Sequence, residues 1–426
     1  MALPDTIEII PLERAPTVEI TVPGSKSITN RALILAALAE GEVTLKGALW
    51  SEDTQVMTTA LRELGYEIEV APDLGEPCNR TLVVQGRGLD IPAGSTMAES
   101  PTELLVANSG TTARFLTAFL CLGSGTYRVH GMPRMHERPQ EPLVGALRQL
   151  GYRVDTETDR LPLVVHGDGP RPGHCSVDIE ASSQFASALV LSGHRGQWQV
   201  DIEGECSATS PYVVMTRKLI DTFPHDGSPF TIEPDASSGT YFWGAGHLLT
   251  ADAETPITVA GWPSSGWQVD AEFSRLLPLP ETLSRHGDLG DGIMTAIVIA
   301  PFADEPHRFT DLGRLRVQEC ERVVALRTEL GKCGARIDEN GDTLEVHPGV
   351  DLHGADIDTY DDHRMAMCFA MLGLKVPGIR IRNPECVAKT FPNFFHKLAT
   401  PTPDGLGAEL RDGSGRVLEL DELFAE

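Results

Sequence analysis

Apolar positions along the chain recur mostly at helical spacing and are followed by short stretches of alternating apolar and polar residues. The phrase A-L-R-E-L-G-Y-E-I at 60–68 returns almost unchanged as A-L-R-Q-L-G-Y-R-V at 146–154, and more loosely at 325–337. Each copy predicts an amphipathic helix that ends at a glycine and leads into a strand. Repetition of a fixed phrase indicates a repeated supersecondary unit. We therefore predict one helix–strand unit copied several times within two domains.

Four polar or Gly/Ser-rich turns each lead into an apolar helix. They occupy residues 24–31, 108–114, 182–185 and 361–364. The first turn of a helix has unpaired backbone N–H groups and the positive end of the helix dipole, so it attracts anions. Four such ends in one chain favour a site for a polyanionic ligand. The alternative is ordinary capping of four buried helices.

The first of these turns reads P-G-S-K-S-I-T-N-R. Ser25 or Ser27 is suited to cap the helix that follows. Lys26 and Arg31 stand beside the positive end of the helix dipole, which is unfavourable by about 0.3–1 kcal/mol unless an anion lies between them. The alternative is a solvated helix start with two unrelated charges. The stretch is not a Walker A loop, because Glu19 occupies the position of the first glycine of that motif.

Further cations occur in two loops. Arg134 and Arg138 lie four residues apart in the proline-bounded loop P-R-M-H-E-R-P. A solvated basic loop is the alternative for this segment. Lys389 lies in C-V-A-K-T-F-P, which we predict to be a loop before the last helix.

Two carboxylates are candidates for proton transfer. Asp291 precedes the apolar segment 293–300 and is either a helix cap or a catalytic base; its spacing alone favours the cap. Glu319 lies three residues before Arg322 on a helix that we predict to open at Arg316. An ordinary ion pair between these two side chains is the alternative, and it contributes only a few tenths of a kcal/mol.

Length and charge limit the possible functions. A chain of 426 residues is long enough for two or more domains. Its formal charge is 35 − 61 = −26, which disfavours nucleic acid and anionic membranes as partners. An anionic substrate would therefore need a local cluster of Lys and Arg to overcome the overall field.

Cysteine usage and the N-terminus indicate a compartment. The eight cysteines form no C-x-x-C pair, so neither a zinc ribbon nor a thioredoxin-type site is indicated, and we expect no bound metal. In so long a chain they are typical of buried or free thiols in a reducing compartment. The N-terminus has no secretory pattern, and the apolar runs are too short to span a bilayer. We predict a cytoplasmic protein.

Taken together, these segments resemble the 5-enolpyruvylshikimate-3-phosphate synthases, also called 3-phosphoshikimate 1-carboxyvinyltransferases. The resemblance covers about residues 15–398, and its motifs occur in the family's order. They are P-G-S-K-S-x-x-N-R-A, N-S-G-T-x-x-R, P-R-M-x-E-R-P, S-S-Q-F, D-A-S-S-x-x-Y-F, D-x-x-M-T, Y-D-D-H-R-M-A-M and A-K-T-F-P. A set of eight ordered motifs is far more specific than any one of them.

The resemblance implies an α/β (α+β) fold of two domains, the inside-out barrel of enolpyruvyl transferases, with six βαβαββ repeats and three per domain. One domain would be residues 1–24 plus 235–426, the other residues 25–234, with the active site in the cleft between them. Residues 400–426 form a Pro/Gly-rich acidic tail that we predict to be a loop plus a short amphipathic or disordered piece of unknown role.

The implied reaction belongs to the shikimate pathway, which leads to chorismate and the aromatic amino acids. The 5-hydroxyl of shikimate 3-phosphate attacks C2 of phosphoenolpyruvate while C3 is protonated, and the tetrahedral intermediate expels phosphate. The family needs no metal or organic cofactor and is expected to be monomeric. Both substrates are multiply anionic, so clamps of Lys and Arg are the expected chemistry. Glyphosate occupies the phosphoenolpyruvate position in this family, and because Gly110 is retained we predict sensitivity to it.

The resemblance also implies roles for single residues. Asp291 would be the base for the 5-hydroxyl, and Glu319, together with Lys26, would donate and accept the proton at C3. The residues expected around phosphoenolpyruvate are Lys26, Gly110, Arg134, Gln184, Arg322, Arg364 and Lys389. Those expected around shikimate 3-phosphate are Lys26, Ser27, Arg31, Ser182, Ser183, Gln184, Thr209 (with Ser210 as the alternative), Tyr212, Asp291, Arg314 and Gln318.

The sequence departs from the family pattern at three of its positions. Gln318 stands where Lys is common and Arg314 where Asn is usual. Either Arg314 supplies the cation that Gln318 lacks, or the acceptor substrate has changed. Phe115 replaces a frequent Pro and could alter the angle of its helix.

Two other functions compete with this one. The sister enzyme that acts on UDP-N-acetylglucosamine shares the fold, but it uses a loop Cys and an early K-N pair, whereas this chain has Lys26-Ser27 and no Cys between Arg134 and Arg138. A non-catalytic binding protein of the same fold would be expected to have lost the chemical residues, and Asp291 and Glu319 are present.

Overall fold

The computed structural model describes residues 3–97, 100–204, 210–250, 256–349 and 351–425. The helices are α1 (Lys26–Leu38), α2 (Glu52–Glu63), α3 (Gly110–Leu120), α4 (Pro133–Glu137), α5 (Glu141–Gln149), α6 (Gln184–Gly196), α7 (Pro211–Thr222), α8 (Ala236–Leu249), α9 (Ile293–Ile299), α10 (Arg322–Lys332), α11 (His363–Gly373) and α12 (Phe394–Ala399). Within these described ranges, every helix is too short or too polar to cross a membrane.

The strands are short and distributed along the whole chain. They are β1 (Thr6–Ile9), β2 (Val18–Ile20), β3 (Glu40–Leu49), β4 (Ile68–Pro72), β5 (Asn79–Arg87), β6 (Thr102–Leu105), β7 (Ser124–His130), β8 (Arg153–Asp155), β9 (Leu163–Asp168), β10 (Gly173–Asp178), β11 (Trp198–Glu203), β12 (Phe230–Thr231), β13 (Ile257–Val259), β14 (Thr282–Ser284), β15 (His307–Thr310), β16 (Arg336–Asn340), β17 (Thr343–His347), β18 (Asp356–Ile357), β19 (Ile379–Arg382) and β20 (Leu410–Asp412).

The chain divides into two compact units. We call Gly24–Leu74 with Asn79–Ile232 the central unit. We call Met1–Pro23 with Gly75–Cys78 and Glu233–Glu426 the terminal unit.

The sheets of the two units repeat one pattern. In the described residues, sheets β12-β3-β5-β4 and β6-β7-β9-β8 belong to the central unit, and β14-β15-β17-β16 and β18-β19-β1-β20 to the terminal unit. Each has a parallel pair first and antiparallel pairs after it. A parallel two-stranded sheet completes each unit, β10-β11 in the central and β2-β13 in the terminal one. Three related sheets per unit confirm the predicted α/β architecture of repeated units.

The three repeated phrases have the predicted local structure. Helices α2, α5 and α10 are followed by Gly65, Gly151 and Gly334, whose φ angles are +104°, +85° and +89°. Only glycine adopts this left-handed conformation at little cost. Strands β4, β8 and β16 then form the last strand of their sheets.

The helices that follow the polar turns are buried on nearly all sides. Every residue of α3 and α11 is buried, as is α1 from Ile28 to Leu38. A helix that is apolar all round must be enclosed by other elements. Their charged side chains lie within the first two turns, at Lys26 and Arg31 of α1, Arg114 of α3 and His363 and Arg364 of α11.

The segment Gly75–Cys78 was not separated from residues 25–234 by the sequence analysis, yet it packs within the terminal unit. Its Glu76 is buried and lies 2.9 Å from Lys397 Nζ. Glu76 also accepts hydrogen bonds from Thr21 Oγ1 at 2.7 Å and from Asn393 Nδ2 at 2.8 Å. A buried carboxylate satisfied by distant residues explains the placement, because sequence periodicity carries no signal for such a contact.

For residues 400–426 a loop plus a short amphipathic or disordered piece was predicted, and the disordered alternative is wrong for the described residues 400–425. Strand β20 pairs with β1 at the edge of a terminal-unit sheet. Leu406, Leu410, Leu418 and Leu423 are buried in the core of that unit. The tail is ordered because these four leucines are covered there, although its composition is polar.

Candidate active site

The start of α1 carries an ion pair. Lys26 Nζ lies 3.0 Å from Asp53 Oδ2, and both side chains are largely buried. The prediction that Ser25 or Ser27 caps this helix is wrong, because the residue before α1 is Ser25 and its side chain makes no capping bond. Its backbone carbonyl instead accepts from Thr29 N at 2.8 Å, which closes the first turn.

Arg31 lies one turn into α1 and is almost fully buried. Its Nε donates to Thr216 Oγ1 at 2.8 Å, and its terminal nitrogens donate to Ser187 Oγ and the Ser27 carbonyl, both at 2.9 Å. A longer bond of 3.4 Å reaches the Tyr212 carbonyl. Within the described residues, all of these acceptors are neutral. The hydrogen bonds therefore satisfy the guanidinium without cancelling its charge.

Phe115 explains one departure from the family pattern. Its ring is buried on α3, and the Arg31 guanidinium carbon lies 5.2 Å from the ring centroid, within cation–π distance. Burial lowers the pKa of Arg31 to about 10, against a smaller raising effect from Tyr212. The cation is still charged at neutral pH, and a bound anion would offset the cost of burying that charge.

Gly110 begins α3 beneath two guanidinium groups. A Cβ at this position would lie 2.7 Å from one terminal nitrogen of Arg138 and 2.8 Å from one of Arg114. Arg114 donates to Gln184 Oε1 at 2.5 Å, and Gln184 Nε2 donates to Thr111 Oγ1 at 3.1 Å. The turns before α3 and α6 therefore meet through Arg114 and Gln184.

The remaining central-unit candidates are placed as follows. Ser183 precedes α6 and is buried, while Ser182 Oγ accepts from Gln184 N at 3.3 Å. Arg134 is in the short helix α4 instead of the predicted loop; it is half-exposed and lies 2.5 Å from Glu137. Thr209 lies outside the described residues.

In the terminal unit, Asp291 is surrounded by three arginines. Its Oδ1 lies 3.0 Å from a terminal nitrogen of Arg285 and 3.8 Å from one of Arg322. Its Oδ2 lies 3.1 Å from Arg364 Nε. The cap hypothesis for Asp291 is wrong, because Gly292 is the residue that precedes α9 and no side chain caps that helix.

Arg322 is shared among several partners at the start of α10. Its Nε and one terminal nitrogen donate to the two carboxylate oxygens of Asp362, at 2.6 and 3.1 Å. Glu319 Oε2 lies 2.9 Å away, so the ion pair between Glu319 and Arg322 is present. Gln318 accepts a short hydrogen bond from the same guanidinium. Arg322 thus connects the two carboxylates that the sequence singled out, Asp291 and Glu319.

A buried carboxylate fixes the backbone on both sides of Asp291. Asp270 accepts from Gly290 N at 2.6 Å, from Gly292 N at 3.1 Å and from Ser237 Oγ at 2.5 Å. Burial raises the pKa of Asp270, although the Ser237 hydrogen bond lowers it. Asp270 therefore holds the loop that carries Asp291 without contributing an exposed charge.

The helix predicted to open at Arg316 begins later. Residues Leu312–Val317 form a 3-10 turn, and α10 starts only at Arg322. Arg314 lies half-buried in this turn. Lys389 is buried at the end of a second 3-10 turn, Pro384–Lys389, where a loop had been predicted.

The charged groups around Asp291 and Arg322 determine the protonation states of these two side chains. Burial raises the pKa of Asp291, but Arg364, Arg322 and Arg285 together lower it well below its usual range. Burial lowers the pKa of Arg322, and Asp362, Glu319 and Asp291 raise it above its usual value. Both groups are charged at neutral pH. Among the described residues, no group of three or more His, Cys, Asp or Glu side chains is arranged to hold a metal ion.

Sequence reasoning missed several residues of these clusters. Asp362 and Arg114 stand inside motifs that it quoted, directly before or within buried helices, and that position was a usable signal. Asp53, Asp270 and Arg285 lie outside those motifs, and only the folded chain brings them to Lys26 and Asp291.

Comparison with known proteins identifies the family. The family model described as EPSP synthase (3-phosphoshikimate 1-carboxyvinyltransferase) matches residues 14–277 and 286–398. The chain belongs to this family. A relative from Trichormus variabilis named 3-phosphoshikimate 1-carboxyvinyltransferase is 36% identical over 92% of this chain and 98% of its own length. One of the same name from Opitutus terrae is 38% identical over 94% of this chain and 98% of its own length.

Solved structures support the same fold. EPSP synthase from Acinetobacter baumannii superposes with a TM-score of 0.71 at 21% identity and covers 96% of this chain and all of its own. The enolpyruvyl transferase NikO from Streptomyces tendae gives a TM-score of 0.70 at 17% identity, over 98% of this chain and 100% of its own. The fold of this EPSP synthase family member is therefore the two-domain fold of enolpyruvyl transferases.

Proposed function

We propose that this protein transfers the enolpyruvyl group of phosphoenolpyruvate to the 5-hydroxyl of shikimate 3-phosphate and releases phosphate. Relatives that match nearly the whole chain bear the name 3-phosphoshikimate 1-carboxyvinyltransferase. The observation that carries the proposal is the terminal-unit cluster, in which Arg322 contacts Glu319 at 2.9 Å and approaches Asp291 at 3.8 Å. Two carboxylates beside buried arginines suit proton transfer on an anionic substrate.

In the proposed reaction Asp291 accepts the proton of the 5-hydroxyl as that oxygen bonds to C2 of phosphoenolpyruvate. Glu319, together with Lys26, delivers a proton to C3, which gives a tetrahedral intermediate. The same groups then remove a proton from C3 as the C2–O bond to phosphate breaks, and the proton held by Asp291 passes to the leaving phosphate, which restores the base. These steps move protons and exchange C–O bonds without net oxidation, so we propose no organic cofactor.

Without substrate, the Asp291 carboxylate is a weak base, because the arginines that contact it lower its pKa. An anionic substrate competes with Asp291 for Arg322 and Arg364. When these guanidinium groups turn to the substrate, the proton affinity of Asp291 rises. We therefore propose that phosphoenolpyruvate prepares the base that its own addition requires.

The central unit supplies the anion-binding part of the proposal. Arg31 keeps an uncompensated charge, and Gly110 leaves room beside Arg114 and Arg138. We assign Arg31, Ser182, Ser183 and Tyr212 to the acceptor. Lys26, Gly110 and Gln184, with Arg134, are assigned to phosphoenolpyruvate, as are Arg322, Arg364 and Lys389 of the terminal unit. Ser27, Thr209, Arg314 and Gln318 remain assigned to the acceptor as predictions.

The test is phosphate release from phosphoenolpyruvate with two acceptors, shikimate 3-phosphate and UDP-N-acetylglucosamine. We expect release only with the first and a loss of about 10²–10⁴ in kcat for Asp291→Ala. Asp338→Asn, which removes an exposed carboxylate of the same unit, is the matched control and should retain activity. Release with UDP-N-acetylglucosamine alone would favour the sister enzyme. No release with either acceptor would contradict the proposal.

A cytoplasmic location and a monomeric state remain predictions. Fractionation of the native host tests the first, and sedimentation of the purified chain tests the second.

A further inference from the structure

Arg285 is a buried cation that the sequence motifs do not contain. It follows β14, its side chain is only 5% exposed, and its backbone N–H donates to the Thr310 carbonyl at 3.1 Å. One terminal nitrogen donates to Asp291 Oδ1 at 3.0 Å. Within the described residues, Asp291 is the carboxylate partner of this guanidinium, and the buried Nε has no hydrogen-bond partner. Such a charge is held in place chiefly by Asp291.

The match to the family model does not include this residue. The matched stretches end at residue 277 and resume at residue 286, so Arg285 lies in the segment between them. Its contact with Asp291 therefore adds a cation that family membership alone does not assign.

The partners of the three arginines differ. Arg322 also binds Asp362 and Glu319, and Arg364 also donates to Tyr241 Oη at 3.3 Å. These two guanidinium groups can leave Asp291 and remain hydrogen-bonded. Arg285 has no such second acceptor in the described part of the chain.

We propose that Arg285 is a positioning residue that holds Asp291 Oδ1 in its reactive orientation while anionic substrate occupies Arg322 and Arg364. This inference rests on the proposed function. It gives the three arginines different tasks. Two bind the substrate, and the third retains the base.

Arg285 also balances the charge of the cluster. Asp291, Glu319 and Asp362 carry three negative charges, and Arg285, Arg322 and Arg364 carry three positive charges. Without Arg285 the sum is −1, which opposes the entry of anions. The chain as a whole is already at −26, so this local balance matters for substrate binding.

The pH dependence follows from the groups that face Asp291. These are Arg285 after β14, Glu319 before α10, Arg322 at the start of α10, Arg364 on α11, and Asp270. Burial and Glu319 raise the pKa of Asp291, and the arginines lower it. Removal of Arg285 takes away one lowering group. The pKa of Asp291 should therefore rise, and activity should be lost at a higher pH on acidification.

The experiment compares Arg285→Gln, Arg285→Lys and Arg285→Ala with the wild type. We expect Arg285→Gln to lower kcat about 10- to 100-fold, with a smaller change in KM for shikimate 3-phosphate. The acid limb of its pH profile of kcat/KM should move to higher pH. The phosphate groups of the substrates titrate in the same way with both proteins, so a difference between the two profiles comes from the enzyme. Arg285→Lys should recover part of kcat, and methylguanidinium should partly restore Arg285→Ala. Arg275→Gln, which removes an exposed arginine of the same unit, is the control and should match the wild type.

Two outcomes would overturn the inference. The first is an Arg285→Gln protein with the wild-type kcat and acid limb. The second is a protein with low kcat, an unchanged acid limb and no rescue of Arg285→Ala by methylguanidinium, which would show a purely structural role. Failure of the proposed function is separate, since it would appear as absence of phosphate release in the wild type.

Discussion

Arg31, one turn into α1, and Arg322, at the start of α10, are both buried arginines, but their surroundings differ. In the central unit, the described partners of Arg31 are hydroxyl and carbonyl oxygens. In the terminal unit, Arg322 binds Asp362 and Glu319 and approaches Asp291. The same side chain is therefore an uncompensated cation in one unit and the centre of an ion-pair network in the other.

The difference indicates a division of tasks. Neutral acceptors satisfy the donors of Arg31 but leave its charge, and burial lowers its pKa to about 10. A phosphate or carboxylate can supply the missing counter-charge. Around Arg322 the three arginines balance the three carboxylates in charge. Binding of an anion to the arginines therefore changes the proton affinity of the carboxylates. The central cluster is thus suited to binding anions and the terminal cluster to proton transfer.

The largest expected effect is on stability, from Arg322→Met. This change removes a cation that contacts the fully buried Asp362 and Glu319, so the free energy of unfolding should fall by about 3–5 kcal/mol. Urea denaturation followed by tryptophan fluorescence measures it. Arg327→Met on the same helix removes an exposed arginine whose partner Glu339 keeps its contact with Arg316, and should lose less than about 1 kcal/mol. Equal losses in the two variants would contradict the ion-pair network.

Arg31→Met should behave in the opposite way. Thr216 Oγ1 keeps its bonds to Ser187 Oγ and the Tyr212 carbonyl, so the free energy of unfolding should change by less than about 1 kcal/mol. Affinity for shikimate 3-phosphate should fall about 10- to 100-fold, because a charge-assisted contact is lost. Calorimetric titration measures the affinity, with the exposed Arg217→Met as control. If Arg31→Met unfolds as easily as Arg322→Met, the two clusters do not differ in the way described.

Gly110→Ala tests the space beside the central-unit arginines. The new Cβ would displace the ends of Arg138 and Arg114, so KM for phosphoenolpyruvate should rise about tenfold. Inhibition by glyphosate should weaken in parallel. Gly145→Ala has no atom within 4 Å of the new Cβ and serves as the control in initial-rate assays. A wild-type enzyme that stays fully active in millimolar glyphosate would refute the predicted sensitivity.

The smallest expected effect comes from Phe115→Leu. Loss of the ring under Arg31 removes a cation–π contact that helps to place the guanidinium, so KM for shikimate 3-phosphate should rise about two- to fivefold. Phe119→Leu on the same helix removes a similar ring that faces Tyr66 and should lower stability without changing this KM. Indistinguishable KM values in the two variants would mean that Phe115 serves only the core.

Much of the fold was available from the sequence. The repeated phrase gave the helix–glycine–strand units, because a 3.6-residue period and a left-handed glycine are local properties. The four polar turns marked the starts of α1, α3, α6 and α11 for the same reason. The order of the motifs pointed to the family that the comparisons show.

Predictions from neighbouring residues failed where the contact that decides the structure comes from a distant part of the chain. Spacing favoured a helix cap for Asp291, whereas its carboxylate faces three arginines. The composition of residues 400–426 left an amphipathic or a disordered piece open, whereas β20 pairs with β1 in a sheet. In both cases the deciding partner is distant in sequence.

The sequence by itself determined the repeat, the helix starts and the inventory of charged side chains, since each depends on neighbours within a few residues. Only the tertiary structure decided which charges are compensated. In the folded chain Lys26 pairs with Asp53, Arg31 has neutral acceptors and Arg285 contacts Asp291. The physical reason is that the energy of a buried charge depends on the nearest opposite charge, and these partners are brought together only when the chain folds.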